Sequence, residues 1–225
     1  IESISGSESI TVGNTGEYEA TLSNEAWANE IQWILSDSDV AIQGSDKGKK
    51  VSIKANEKGF GSAGQNEKTV TLSAQVGSAK SKTEIKLQKK AITDLEVKFG
   101  EKSSWKKGVE VKVSSAELQK INAEVSVVAK KGEAQIENSK MLTVGGEAQK
   151  WTFKENGSYV FTATFEGNAV YQSQTAEGTY DTDKENQDAE SFKLVTGSNV
   201  KETTDSDGNI TYEIVNPLTY GDSKQ

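Results

Sequence analysis

The sequence predicts an all-β protein made of antiparallel β-sandwiches in tandem, and three observations predict it. Short runs in which apolar and polar residues alternate recur along the chain, with Gly, Asn, Asp and Ser between them. This alternation is typical of strands that have one buried face. Only 33% of the 225 residues are hydrophobic, which suits small sandwiches with two solvated faces better than one thick core.

Residues 1–90 contain the first series of strands and are predicted to form one sandwich. The runs are Ile10–Val12, Tyr18–Leu22, Ile31–Leu35, Val40–Ile42, Val51–Ala55, Val70–Val76 and Thr83–Leu87. So many short strands in so short a segment, with turns between them, are typical of an immunoglobulin-like sandwich. Trp33 lies on the apolar side of its run, so we expect it in the core.

Residues 91–184 contain a second series and are predicted to form a second sandwich of the same kind. The runs are Leu95–Phe99, Val109–Val113, Val125–Val128, Ala134–Ile136, Trp151–Phe153 and Tyr159–Phe165. Trp151 is expected in the core. The turn residues 155–158 predict a hairpin between the last two runs. Ser114 or Ser115 is expected to cap one helical turn that buries Leu118 and Ile121.

Residues 185–225 are predicted to form a linker and a short β tail. The stretch 181–190 is polar and acidic, with no apolar periodicity, as in a linker or long loop. Two runs follow, Phe192–Val195 and Ile210–Ile214, which are too few strands to fold alone. The tail either adds to the second sandwich or begins a third domain.

Composition excludes several classes of function. The chain has no Cys and no His, and all 26 basic residues are Lys, so a Ser-His-Asp triad, a Cys nucleophile and an ordinary zinc site are excluded. A net charge of −8 and the lack of Arg argue against a nucleic-acid partner. No apolar run is long enough for membrane insertion within this chain. An enzyme is not expected.

Two tryptophans are the best ligand candidates. Trp27 and Trp105 lie between predicted strands and are flanked by amide, carboxylate, hydroxyl or ammonium groups. An exposed aromatic ring can stack on the apolar face of a sugar, and the flanking groups can bind its hydroxyls. The alternative for each is a loop tryptophan that folds back and closes one end of a sandwich.

One acidic cluster is a candidate calcium site. Asp205, Asp207 and Asn209 offer the oxygen ligands that Ca²⁺ prefers, and the spacing is similar to part of an EF-hand loop. Gly208 stands directly after the second Asp, however, so a hairpin turn is the alternative. Asp37 with Asp39, and Asp181 with Asp183, are expected in solvated turns. No cofactor is expected apart from this Ca²⁺.

Two further patterns are interpreted as structural. Lys98 and Lys112 are candidates for the Lys–Asn or Lys–Asp crosslink of some surface sandwiches, but strand alternation places both on a solvated face. The glycine-rich segment 59–64 does not lie between a strand and a helix, so a flexible loop is expected there rather than a phosphate site.

The two blocks resemble the bacterial immunoglobulin-like (Big-type) repeats of surface and phage proteins. The resembling segments are Ile10–Gly13, Ile31–Ser36, Ser38–Ile42, Thr71–Ala74 and Trp151–Thr164, and Leu218–Ser223 is similar to the opening of a further repeat. By strand pattern the resemblance covers about four-fifths of the chain. It implies tandem domains in a long extracellular or virion-attached protein, and it carries over no catalytic residue.

These features together predict a non-catalytic extracellular module of a bacterial cell surface that acts as a stalk or spacer, with a possible adhesive role. Two alternatives stay open. One is a carbohydrate- or cell-wall-binding module that uses Trp27 or Trp105. The other is a decoration or fibre domain of a phage virion. A cell-surface or polysaccharide ligand is the expected partner.

Overall fold

The computed structural model describes residues 1–182, 200–204 and 210–214. Eight strands form the first sandwich: β1 (Ser3–Gly6), β2 (Ser9–Thr11), β3 (Thr15–Thr21), β4 (Gln32–Leu35), β5 (Val40–Gln43), β6 (Lys50–Ala55), β7 (Glu67–Val76) and β8 (Ala79–Gln88). A 3₁₀ helix, Glu25–Glu30, connects β3 to β4.

The first sandwich has the strand arrangement of an immunoglobulin-like domain. One sheet has the order β1-β3-β6-β5 and the other the order β2-β8-β7-β4. All pairs are antiparallel except β2 with β8, which run parallel. If the chain order is lettered A to G, with β1 and β2 sharing strand A, the sheets are the ABED and CFG sheets of that fold.

The core of the first sandwich is built from the inward side chains predicted by strand alternation. Trp33 on β4 is 2% exposed, and its indole Nε1 donates to the Gly48 carbonyl at 2.8 Å. Tyr18 on β3 donates its hydroxyl to the Ser7 carbonyl at 2.8 Å, and burial raises its pKa to about 12. The two largest core residues therefore bury their rings without leaving a polar atom unpaired.

Eight further strands form the second sandwich: β9 (Glu96–Phe99), β10 (Val109–Ser114), β11 (Glu124–Lys131), β12 (Ala134–Gln135), β13 (Lys140–Thr143), β14 (Gln149–Trp151), β15 (Ser158–Phe165) and β16 (Gln174–Asp181). The sheet β14-β10-β9 faces the sheet β12-β11-β15-β16, in which β13 also pairs with β11. The prediction of an all-β fold of immunoglobulin-like antiparallel β-sandwiches is confirmed.

Aromatic rings dominate the second core. Trp151 is fully buried, as predicted, with its ring centroid 5.6 Å from that of Phe161 in an edge-to-face contact. Phe153 stacks on Tyr159 at 4.2 Å. Such contacts add to the hydrophobic stabilisation that burial of the rings supplies. The two cores are separate clusters, one from Ile10 to Leu87 and the other from Ile92 to Tyr180.

The predicted hairpin at residues 155–158 is wrong. β14 pairs with β10, whereas β15 pairs with β11 and β16, so the turn crosses from one sheet to the other. The Tyr159 hydroxyl donates to the Glu155 carbonyl at 2.6 Å and holds this corner. The bond has the geometry of the tyrosine corner of immunoglobulin-like folds. Turn residues mark where a chain bends, but not which sheet it enters next.

The helical turn predicted between β10 and β11 is present. It spans Ala116–Gln119 (α1), with Ser115 as its N-cap. Leu118 is fully buried, as expected, but Ile121 is 43% exposed, which corrects the second half of that prediction. The chain leaves the helix before Ile121 and turns at Asn122, which has a φ of 48°. Ile121 therefore does not share the buried face of the helix.

The remaining described residues form an antiparallel pair of strands, β17 (Val200–Thr204) and β18 (Ile210–Ile214). Both sandwiches belong to one compact unit, and this pair belongs to a second. Among the described residues, no helix is long and apolar enough to cross a membrane.

Replacing Tyr159 by Phe tests the corner. The variant keeps the ring and removes the hydrogen bond to Glu155, so we expect the free energy of unfolding to fall by about 1 kcal/mol. Chemical denaturation followed by tryptophan fluorescence measures this. Val160→Ala, an exposed change at the next residue, is the control. A loss no larger than that of the control would show that the corner bond does not stabilise the fold.

Candidate functional sites: Trp27 and the junction of the sandwiches

Trp27 lies on the 3₁₀ helix between β3 and β4, with its side chain in solvent. The residue is 53% exposed, and none of the residues of this helix is buried. Asn24 caps the helix by accepting from the Ala26 amide at 3.0 Å. Glu25 forms an ion pair with Lys49 at 2.9 Å, which ties the helix to the segment before β6. Trp27 therefore does not close the end of the sandwich.

Trp105 is placed differently. It lies in the turn before β10, is only partly exposed and packs against the second core. The Lys106 ammonium lies 5.5 Å from the ring centroid. These contacts match the alternative considered for this residue, a loop tryptophan that covers one end of a sandwich. The two tryptophans are thus in different environments, although their sequence surroundings are similar.

The predicted calcium ligands Asp205, Asp207 and Asn209 lie outside the described residues. Within the described part of the chain, no cluster of three or more acidic side chains could hold a metal ion. Asp37 and Asp39 do not lie free in solvated turns, because both form ion pairs with Lys68, at 2.7 Å in the case of Asp37. The hydrogen bond from Lys68 lowers the pKa of Asp37.

Lys98 and Lys112 have the solvent-facing positions that strand alternation predicts. Both are exposed, and the Lys98 ammonium lies 3.4 Å from the Glu96 carboxylate on the same strand. The register places Lys98 directly opposite Lys112 in the pair β9–β10.

The junction between the two sandwiches is a specific contact that sequence reasoning did not identify. It is formed by the loop between β15 and β16, by the loop between β6 and β7, and by the connection that follows β8. The Phe60 amide donates to the Ala169 carbonyl at 3.0 Å, and the Lys90 amide donates to the Val170 carbonyl at 2.9 Å. In return, the Gln172 amide donates to the Lys90 carbonyl at 2.9 Å.

Side chains complete the junction. Val170 packs against both hydrophobic cores, and the Gln172 side chain donates to the Lys89 carbonyl at 3.0 Å. The side-chain oxygen Oδ1 of Asn168 accepts from the backbone amides of Val170 and Tyr171, at 2.8 and 2.9 Å, and so fixes the shape of the loop that reaches the first sandwich. Because the loop is already held in shape by its own side chain, it loses little conformational entropy when its backbone groups bind the first sandwich.

Gly59 is required where the two sandwiches meet. Its φ is 75°, a conformation that favours glycine, and a Cβ built on it would lie 1.9 Å from the Ala169 carbonyl oxygen. Gly64 in the same loop has a φ of 84°, but a Cβ there would meet no atom within 4 Å. Neighbouring Phe60 is buried in the first core. This loop is therefore shaped by the contact with the second sandwich, which the sequence-based interpretation as a flexible loop did not foresee.

Lys89 is a buried ammonium at the junction. It is 2% exposed, its Nζ donates to the Ser62 carbonyl at 2.6 Å, and Nζ lies 5.6 Å from the centroid of the Phe60 ring. Burial lowers its pKa. The hydrogen bond from Lys89 holds the loop that contains Ser62 against the end of β8. Removing the ammonium group from water opposes this stabilisation.

A groove of about 550 Å³ runs along the junction. Lys90 and Tyr171 line it, together with Glu57 from the first sandwich and the exposed Ile121 from the second. The Tyr171 hydroxyl donates to the Glu117 carboxylate at 3.3 Å, and burial is the main cause that raises its pKa. The groove is open to solvent and is lined by both polar and apolar side chains. It marks the edge of the contact between the two sandwiches.

Comparison with known proteins finds only distant structural likenesses. No protein family matches the sequence, and no curated protein matches it. The chain is similar to a protein of Corynebacterium diphtheriae described as membrane anchored, at 15% identity and a TM-score of 0.35, over 82% of this chain and 55% of that one. Human protocadherin-24 domains EC1-2 match at 12% identity and a TM-score of 0.29, over 78% and 95%.

The chain also matches extracellular cadherin domains 1–4 of protocadherin gamma B7, at 11% identity and a TM-score of 0.27, over 80% of this chain and 50% of that one. In the comparison with the Corynebacterium protein, this chain spans about half of the length of that protein. With TM-scores below 0.5, these likenesses carry no functional conclusion for the chain.

Replacing Lys89 by Met tests the buried charge through its dependence on pH. The pKa of Lys89 is lowered in the folded chain, whereas an unfolded lysine titrates near about 10.4. Between these two values the unfolded chain binds more protons, so the stability of the wild type rises with pH. The variant lacks this contribution. We expect the unfolding free energy of the wild type, relative to Lys89→Met, to increase as the pH approaches about 10.4.

Denaturation curves at a series of pH values measure this difference. Lys86→Met, which removes an exposed lysine near the same end of β8, is the matched control. A difference between wild type and Lys89→Met that stays constant with pH would show that Lys89 is solvated in the folded protein.

Proposed function

We propose that this chain is a non-catalytic spacer segment of an extracellular, surface-exposed protein, in which two sandwiches are held in one fixed arrangement. The observation that carries the proposal is the junction. Three backbone hydrogen bonds and one from a side chain join the loops there, and Val170 packs against both cores. A spacer transmits position only when its modules cannot swing freely.

The connection between the modules also supports a rigid spacer. The first core ends at Leu87 and the second begins at Ile92, so only residues 88–91 join them. Lys89 is buried and Lys90 is hydrogen-bonded through both its amide and its carbonyl. A four-residue connection in which Lys89 and Lys90 are fixed in this way cannot act as the flexible linker that ordinarily lets domains move.

An extracellular position is supported by architecture and by surface charge. Many cell-surface domains use this sandwich fold. The outward faces of the strands carry both positive lysines and negative carboxylates. The net charge of −8 favours solubility over self-association. A stalk that projects from a surface needs both properties.

Spin-label distance measurements test the rigid junction. Because the chain has no cysteine, a pair can be introduced freely, for example Lys80→Cys in the first sandwich and Glu133→Cys in the second, both at exposed positions. We expect double electron–electron resonance to give a single narrow distance distribution. Its width should be similar to that of a pair placed within one sandwich.

Gly59→Ala and Gly64→Ala provide the matched comparison. Both substitutions place a Cβ at a glycine with a positive φ in the same loop, but only the one at Gly59 collides with Ala169. We expect Gly59→Ala to broaden the distribution and Gly64→Ala to leave it narrow. A broad distribution in the parent pair would contradict the spacer proposal.

A further inference from the structure

Trp27 is an exposed aromatic ring that the fold does not need. Its 3₁₀ helix buries no residue, and 53% of Trp27 is in solvent. A tryptophan on a loop ordinarily contributes its large apolar surface to a core, as Trp105 does in the second sandwich. Single exposed apolar side chains are common on protein surfaces, but a ring of this size in solvent is free to contact a partner outside the sandwich.

The surroundings of the ring indicate the chemistry of that partner. Exposed Asn24, Glu25, Asn29 and Glu30 surround Trp27 in the sequence of the helix, and its other apolar members are only Ala26 and Ala28. A protein interface needs a contiguous apolar core of several residues. A single ring bordered by amides and carboxylates matches a sugar instead, which has one apolar face and hydroxyls around its edge.

The charge near the ring narrows the class of sugar. Glu25 and Glu30 flank it, and the nearby Lys49 is already paired with Glu25 and Glu19, at 2.9 and 3.5 Å. With Lys50, which also pairs with Glu19, this segment holds two ammonium groups against three carboxylates, so an acidic polysaccharide would meet a net negative charge. A neutral glycan meets only hydrogen-bonding groups.

The site lies at the end of the first sandwich that is remote from the junction. β3 begins at Thr15, next to Gly13 and Asn14 in the junction groove, and runs away from it toward the 3₁₀ helix. β8 returns in the opposite sense and ends beside Lys89. The second sandwich therefore does not cover Trp27.

We propose that Trp27 is the stacking platform of a binding site for a neutral polysaccharide, with polar residues of the same 3₁₀ helix as the candidates to bind its hydroxyls. This inference does not depend on the spacer role, because it concerns the opposite end of the sandwich. Loss of glycan binding and loss of a rigid junction are separate results.

Pull-down against insoluble glycans tests the site. Wild-type chain is mixed with cellulose, chitin, starch granules and xylan, with purified peptidoglycan as a charged comparison, and depletion from the supernatant is measured. We expect depletion by at least one of the four polysaccharides. Trp27→Ala should weaken that binding at least tenfold without changing the melting temperature, and Trp27→Tyr should retain most of it because it keeps a ring.

Two controls separate stacking from general stickiness. Ile34→Ala removes an apolar side chain that is 41% exposed on the same sandwich and should leave binding unchanged. Trp105→Ala should lower the melting temperature of the second sandwich and leave glycan affinity unchanged, because Trp105 packs against that core.

Fluorescence gives an independent readout with the same proteins. Trp33 and Trp151 are buried, so Trp27 should supply most of the emission that acrylamide quenches. Soluble oligosaccharides of the glycan that binds should protect this fraction. Failure of all four polysaccharides to deplete the wild type, whether or not peptidoglycan does, or depletion that Trp27→Ala leaves unchanged, would overturn the proposal.

Discussion

The backbone hydrogen bonds that Lys90 makes to the loop at residues 168–172 are the constraint on which the arrangement of the two sandwiches depends. Lys90 donates to Val170 and accepts from Gln172, so the connection and the loop pair like two short strands. Once this pairing is made, Val170 lies against both cores and the Phe60 amide meets Ala169. This pairing also constrains two neighbouring positions. Lys89 is buried, and position 59 has no room for a side chain.

The strands could be predicted from the sequence wherever one face of the strand is buried. Val51, Ile53 and Ala55 alternate with polar residues on β6 and were recognisable for that reason. β1 and β16 carry few buried residues, so alternation gave no signal for them. The turn at residues 155–158 was visible, but Glu155 and Tyr159 form a corner between sheets through a contact that turn propensity does not encode.

The candidate sites show a similar limit. Trp27 and Trp105 have comparable neighbours in the sequence, and only the fold decides that one faces solvent while the other covers a core. The junction gave one weak signal, an apolar Phe60 between two glycines in a polar loop. Nothing in the sequence marks Lys89 as buried, because its enclosure depends on the Ser62 loop folding over the end of β8.

The parallel pairing of β2 with β8 has a mechanical consequence. Ser9, Ile10 and Thr11 lie opposite Lys86, Leu87 and Gln88. The second part of the entry strand, which follows β1, therefore lies beside the exit strand β8 and points the same way. Tension applied through the chain pulls these strands in opposite directions along their axes. The hydrogen bonds between them are then loaded together in shear, rather than opened one after another. The first sandwich is thereby suited to bearing force along the direction in which the chain extends.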